Sequence, residues 1–276
     1  PGNHSILAAL TPSTKTRLSR MTLALFGEDW SAWLHAFMLA KAFKHSVEPT
    51  KSFDYIFSLV SFRHTSPLLF AEKLIRDGIG RKNIAYFVDA IPAPLGWSLD
   101  NREFRGLRKY AARHMQRLDA LFSSNAQMHE YQLGLINSGA KPPGGVLFNP
   151  IVGARKNFPP PITDKLNFLY TGGVYGKRTI KHILEALKKS LKVNPNIYLV
   201  FVGANINASE LSSLNDFERG HVIIEPFVRN LAPYYQEAIA LVDIDADMDN
   251  DVFLSSKITR VQVRSAILIN WAEGRD

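Results

Sequence analysis

The stretch that most constrains this chain is residues 166–203, LNFLYTGGVYGKRTIKHILEALKKSLKVNPNIYLVFVG. It opens on a short apolar and aromatic run, the composition of a buried strand. Ile180, Ile183, Leu184, Leu187 and Leu191 then recur at helical spacing and mark one apolar face. The proline in NPN (194–196) cannot continue the helix. IYLVFVG follows as a second, almost wholly apolar strand. Continuous apolar strands joined by a helix call for a parallel sheet covered on both faces, so the segment reads as a βαβ unit.

The alternation continues on both sides. HVIIEPFV (221–228), LVDID (241–245) and AILIN (266–270) read as strands; LAPYYQEAIA (231–240) and SSKITRVQVR (255–264) read as helices. In the first half, FDYIFSLVS (53–61), NIAYFVDAI (83–91) and ALFSSN (120–125) read as strands, with helices over 66–78 and 101–119. Residues around Trp30, Trp33, Leu34, Phe37 and Met38 read as a helix whose aromatics are core or packing residues rather than a ligand box. The Pro/Gly-rich stretch 141–165 reads as the interdomain connection, with VLFNPI (146–151) as the first strand of the second domain. The class is α/β and doubly wound.

Open α/β sheets bind ligands at the carboxyl edge of their strands. Gly172 and Gly173 end a strand at that edge, where glycine admits close approach of a ligand to the backbone. Lys177 and Arg178 follow, just ahead of a helix N-terminus with its partial positive charge. Together these suit a phosphate or diphosphate. A plain strand-to-helix turn with surface charges is the other reading, and neither a P-loop nor a dinucleotide fingerprint is present. Ser255, Ser256 and Lys257 make a second candidate anion site at a helix start; a cap with a solvated lysine is the alternative. The acidic run DIDADMDND (243–251) lacks the spacing of an EF-hand and reads as a strand followed by a solvated loop. Asp89 falls at the end of a strand, as a ligand for sugar hydroxyls or as a turn residue. Arg63 and His64 also follow a strand, and a lone histidine is usually structural.

Charge is uneven. Residues 1–160 hold 20 Lys and Arg against 11 Asp and Glu, and residues 161–276 hold 13 against 14, so +9 and −1 add to the net +8. A basic half faces either an anionic partner or ordinary solvent. Arg102, Arg105, Lys109 and Arg113 share one face of the 101–119 helix, opposite Phe104, Leu107, Ala111, Met115 and Leu118, which fits an anionic membrane or acceptor as well as a solvated face. With no cysteine in the sequence, disulfides, thiolate nucleophiles and Cys-ligated metals are excluded. No apolar run nears the roughly 20 residues that span a bilayer.

Taken together these pieces resemble a GT-B glycosyltransferase of the family 4 kind. FLYTGGVYGKRTIKHILEALKKSLKVNPNIYLVFVG is similar to that family's strand, glycine turn, basic residue, helix and strand. HVIIEPFVRNLAPYYQEAIALVDID resembles its next strand and helix, and VFLSSKITRVQVRSAILI its variant "PSK" element. FDYIFS, YFVDAIP and LDALFSSNAQMHEYQ resemble first-domain stretches in the same order. The EgfG…E signature of many members is absent, and Arg260 stands where that variant commonly has a glutamate. By the family's pattern a glycine-loop strand should precede residue 1, of which PGNHSILAAL resembles a remnant, and further strands and a return helix should follow residue 276, so both ends are expected to be incomplete.

The resemblance implies two Rossmann-like domains facing each other across a cleft: 1–146 on the acceptor side and 147–276 binding the nucleotide-sugar. It implies a hexosyltransferase-like enzyme of polysaccharide biosynthesis that moves a sugar from a nucleotide diphosphate-sugar, with retention, without metal and with no other cofactor. The acceptor would be a glycan or a lipid-linked precursor. The location would be cytoplasmic, peripheral on the inner membrane face. Carried over by position, Gly172, Gly173, Arg178, Ser255 and Ser256 would line the diphosphate, with Lys177 and Lys257 as its catalytic clamp. Phe227 and Val228 would lie near the base, and Asp89 near the transferred sugar or acceptor. Two other readings stay open. One is a GT-B fold sugar-nucleotide epimerase. The other is a non-catalytic basic protein binding anionic lipid or nucleic acid. No zinc-finger, RRM or KH pattern supports a nucleic-acid partner.

Overall fold

The computed structural model describes residues 21–22, 29–46, 52–61, 65–97, 101–136, 139–148, 164–244, 246, 248, 252–253 and 269–270. The chain divides into two compact units, Pro1–Asn149 with Val252–Leu254, and Pro150–Asp251 with Ser255–Asp276.

In the first unit, α1 (Trp30–Ser46) precedes β1 (Phe53–Val60), α2 (Ser66–Arg76), β2 (Gly80–Phe87), α3 (Asn101–Met115), β3 (Ala120–Ser123), α4 (Ala126–Gly134) and β4 (Gly144–Val146). The strands lie in chain order β1-β2-β3-β4, all parallel. The core gathers Phe87, Leu107, Tyr110, Met115, Leu121 and Met128. The basic helix α3 folds as its pattern requires. Leu107, Ala111 and Met115 are buried, while Arg102, Arg105, Lys109 and Arg113 are exposed.

One expectation is refined here and one is corrected. The α1 aromatics pack without entering the core: Trp30, Trp33 and Phe37 are exposed, Trp33 and Phe37 stack with ring centres 5.6 Å apart, and the helix buries Ala32, Ala36 and Ala40 instead. Alanine at every fourth position lets α1 approach its neighbour α2 closely, and the Phe37 ring lies beside that contact, 5.6 Å from Lys73 Nζ of α2. Lys44 of α1 and Lys73 of α2 both reach Asp77 at the end of α2, at 2.9 and 3.2 Å. The correction concerns VLFNPI. The strand there is Gly144–Val146, and it pairs with β3 of the first sheet rather than opening the second. Gly144 permits this pairing, because a Cβ at that position would collide with the Leu121 carbonyl oxygen.

The second unit holds β5 (Leu166–Thr171), α5 (Lys181–Leu191), β6 (Ile197–Val202), α6 (Asp216–Arg219), β7 (Val222–Glu225), α7 (Ala232–Glu237), β8 (Ala238–Asp243) and β9 (Ile269–Asn270). Its sheet runs β7-β6-β5-β8-β9, again all parallel. Both faces are covered, as the unbroken apolar strands demand. Tyr170 and Phe201 join Leu184, Leu187 and Leu191 of α5 on one side, while Leu169, Val200 and Val202 pack with Tyr234 and Tyr235 of α7 on the other. β8 begins at Ala238, where the sequence pattern predicts helix through residue 240. Ala238 and Ala240 are buried in register with Asn167 and Phe168 of β5, so sheet pairing overrides the helical preference of alanine. The helix predicted over 255–264 lies outside the described residues. No described helix is long and apolar enough to cross a membrane.

Candidate functional site

The order of the second sheet creates the site. From β5 the chain steps outward through β6 and β7, then returns to add β8 and β9 on the other side of β5. In an open parallel sheet such a reversal of strand order places the ligand crevice at the carboxyl edge, here between β5 and β8. The sequence-predicted glycine turn stands there. Gly172 has φ 97°, a backbone that only glycine adopts without strain. Its N–H donates to the Val202 carbonyl at 2.8 Å, which ends β5 against β6. Gly176, at φ 68°, lets the chain turn again.

Lys177 is exposed in the turn closed by the Arg178 N–H and the Tyr175 carbonyl at 3.3 Å. Arg178 is half-buried. It pairs across the crevice by an antiparallel bridge to Ala246, beyond β8, and its guanidinium lies 5.0 Å from the Tyr175 ring centre. Ile180 begins α5 without a side-chain cap, and the Lys181 N–H donates to Thr179 Oγ1 at 3.2 Å. The turn thus sets two cations beside a helix N-terminus, at the point where the strand order reverses.

Sequence reasoning misses two residues of this site. The Tyr170 hydroxyl donates to the Gly173 carbonyl oxygen at 2.8 Å and is hydrogen-bonded to the Arg178 side chain. Burial pushes this hydroxyl up to about 12; the Arg178 guanidinium pulls it down and the Asp243 carboxylate pushes it up. It is a neutral phenol at pH 7. Asp243 ends β8 and is 3% exposed, and neither carboxylate oxygen has a hydrogen-bond partner. The sequence reading places Asp243 in the strand LVDID, and the structure keeps it there, buried at the end of β8. The available signal was a tyrosine two residues before a glycine turn, since a buried phenol usually finds a polar partner.

The same edge carries the other expected residues of this unit. Phe227, after β7, is 81% exposed and sits over Gly203, where a Cβ would meet its Cα at 3.6 Å. Val228 is half-buried and packs with the Leu169–Val202 cluster, so Phe227 is the more exposed of the pair. Ser255, Ser256 and Lys257 lie outside the described residues, as do Arg63 and His64.

In the first unit, Asp89 is half-buried two residues beyond β2, on the carboxyl edge of its sheet. Ser124 lies on the same edge, with Oγ donating to the Val88 carbonyl at 3.4 Å. Next to it Asn125 caps α4, accepting from the Met128 N–H at 2.8 Å, and donates to the Val252 carbonyl at 3.0 Å. Phe253 lies against Trp97 with ring centres 4.8 Å apart and the planes tilted by 39°. The segment just before Ser255 is therefore held by the first unit.

No protein-family model matches this chain, and no curated protein matches it in sequence. Solved structures do. A structure described as trehalose-6-phosphate from E. coli bound with UDP-2-fluoro glucose aligns with TM-score 0.55 and 10% identity, over 88% of this chain and 63% of that one. The GtfA/B complex aligns with TM-score 0.53 and 10% identity, over 89% and 50%. A UDP-forming alpha,alpha-trehalose-phosphate synthase from Burkholderia xenovorans aligns with TM-score 0.51 and 12% identity, over 80% and 58%. The chain spans less than two thirds of the length of each. At such identities the likeness is one of fold, and that fold is the α/β, parallel-sheet architecture of the GT-B glycosyltransferases.

Proposed function

We propose that this chain is the donor- and acceptor-binding part of a glycosyltransferase that moves a sugar from a nucleotide diphosphate-sugar to a glycan or lipid-linked acceptor. The reading rests on one observation above all: the glycine turn and its basic pair stand at the strand-order reversal of the second sheet. The fold likeness to a structure bound with UDP-2-fluoro glucose and to a UDP-forming synthase supports it. In this reading the second unit holds the donor. Lys177, Arg178 and Lys257 neutralise the diphosphate as it departs, the turn around Gly172 and Gly173 lets it approach the backbone, and Phe227 offers a ring to the base. Such charge stabilisation needs no metal, and the resemblance favours retention of configuration. The first unit takes the acceptor, with Asp89 at its sheet edge.

Thermal-shift titration separates this reading from a nucleic-acid binder. One of UDP, GDP or ADP should raise the melting temperature in a saturable way, by about 2.7 kcal/mol of stabilisation at a hundred times its Kd. Stabilisation by polynucleotide alone would contradict it.

We also place the first unit on an anionic membrane surface on the cytoplasmic side. The exposed cations of α3 and the exposed Trp30, Trp33 and Phe37 of α1 support this, since interfacial proteins pair basic residues with aromatic ones. Co-sedimentation should require anionic lipid and weaken with salt, because screening shortens to about 8 Å at physiological ionic strength. Equal binding to neutral vesicles would contradict the placement.

A further inference from the structure

The turn at the crevice is built on a tyrosine that cannot itself reach a ligand. Tyr170 is 1% exposed, and its ring packs against Phe201 with centres 5.9 Å apart. Its single proton goes to the Gly173 carbonyl, so toward Arg178 the phenol oxygen can only accept. A guanidinium has five N–H donors and no acceptor. One donor can serve Tyr170 while another serves an anion in the crevice. Arg178 is also fixed by the Tyr175 ring and by the backbone bridge to Ala246.

We infer that Tyr170 is a positioning residue: through one hydroxyl it fixes both the Gly173 carbonyl and the Arg178 guanidinium, and so presents the turn and its cation together to a diphosphate. This rests on the reading of the crevice as a nucleoside diphosphate site. Asp243 gives the arrangement a second purpose for Arg178. A buried carboxylate without a hydrogen-bond partner needs positive charge nearby. Arg178 is the cation that acts on the same hydroxyl as Asp243 does. The informative variant therefore keeps the positive charge at position 178.

The experiment is a double-mutant cycle on the full chain: wild type, Tyr170→Phe, Arg178→Lys and the double variant. Each is titrated calorimetrically with the tightest binder among UDP, GDP and ADP, with its parent nucleoside, and with inorganic pyrophosphate. Tyr170→Phe keeps the ring and removes only the hydroxyl. It should weaken the diphosphate and pyrophosphate about tenfold, as expected for a charge-assisted hydrogen bond, and leave the nucleoside within about twofold. In the Arg178→Lys background the same change should cost less than about threefold, because lysine lacks the planar fork that the hydroxyl holds. Equal weakening of the nucleoside, or an undiminished tenfold loss in the Arg178→Lys background, would overturn the inference. Should Tyr170→Phe fail to fold, Arg178→Lys alone decides: wild-type affinity for pyrophosphate would overturn it. A wild type that binds pyrophosphate but no nucleoside diphosphate defeats the donor reading and leaves the cycle to be read on pyrophosphate. A wild type that binds neither defeats both.

Discussion

Replacing Gly172 by valine should lower turnover by about a hundredfold or more while the protein still folds. Gly172 holds φ 97° and anchors the turn through its N–H to Val202. A β-branched residue in that region costs roughly 1–3 kcal/mol, which the loop relieves by moving. The second unit keeps its core, because the turn lies at the sheet edge and not among the packed side chains. What moves is the backbone that faces the diphosphate, and with it Lys177 and Arg178. A misplacement of about 1 Å costs on the order of a hundredfold when catalysis depends on position. Initial rates of nucleoside diphosphate release, measured beside a melting curve, check this. Near-normal rates in a folded Gly172→Val protein would remove the turn from the mechanism.

Phe201→Ala should give the largest loss of stability. Phe201 is 1% exposed in the middle of the second sheet, against Tyr170 and the apolar face of α5. Truncating a buried phenylalanine costs about 3–5 kcal/mol, through lost transfer energy and the cavity left behind. That is a large part of the roughly 5–15 kcal/mol by which domains are typically stable. The melting temperature should fall by about 10 °C or more. Because the ring also backs Tyr170, nucleoside diphosphate affinity should fall in whatever fraction stays folded. A shift of only a degree or two would mean that the ring does not hold this core together.

Residues 166–203 were legible because their pattern has one solution. Continuous apolar runs with a 3.6-residue stripe between them fit only a helix crossing between parallel strands, and Leu169 and Tyr170 on opposite faces confirm the double cover. The basic stripe of α3 was legible for the same reason. Elements decided by pairing at a distance were not. Ala238 and Ala240 carry no local strand signal, and β5 recruits them. β4 is three residues long, and only the close approach of Gly144 to Leu121 explains its place. The short helix α6 did carry a local signal, the reciprocal capping box of Asn215 and Glu218. At the site, Gly172, Gly173, Lys177 and Arg178 stood out as glycine and charge beside a strand end. Tyr170 and Asp243 did not, because an aromatic in an apolar strand and an acid in an acidic run look ordinary until burial is known.

The most direct test of the central claim is a crystal structure of the protein with the nucleoside diphosphate that stabilises it best. The diphosphate should lie at the carboxyl edge of the second sheet, between the loops after β5 and β8, within hydrogen-bonding distance of the Gly172–Arg178 turn, with the base beside Phe227. A diphosphate bound elsewhere, with that turn empty, would contradict the account.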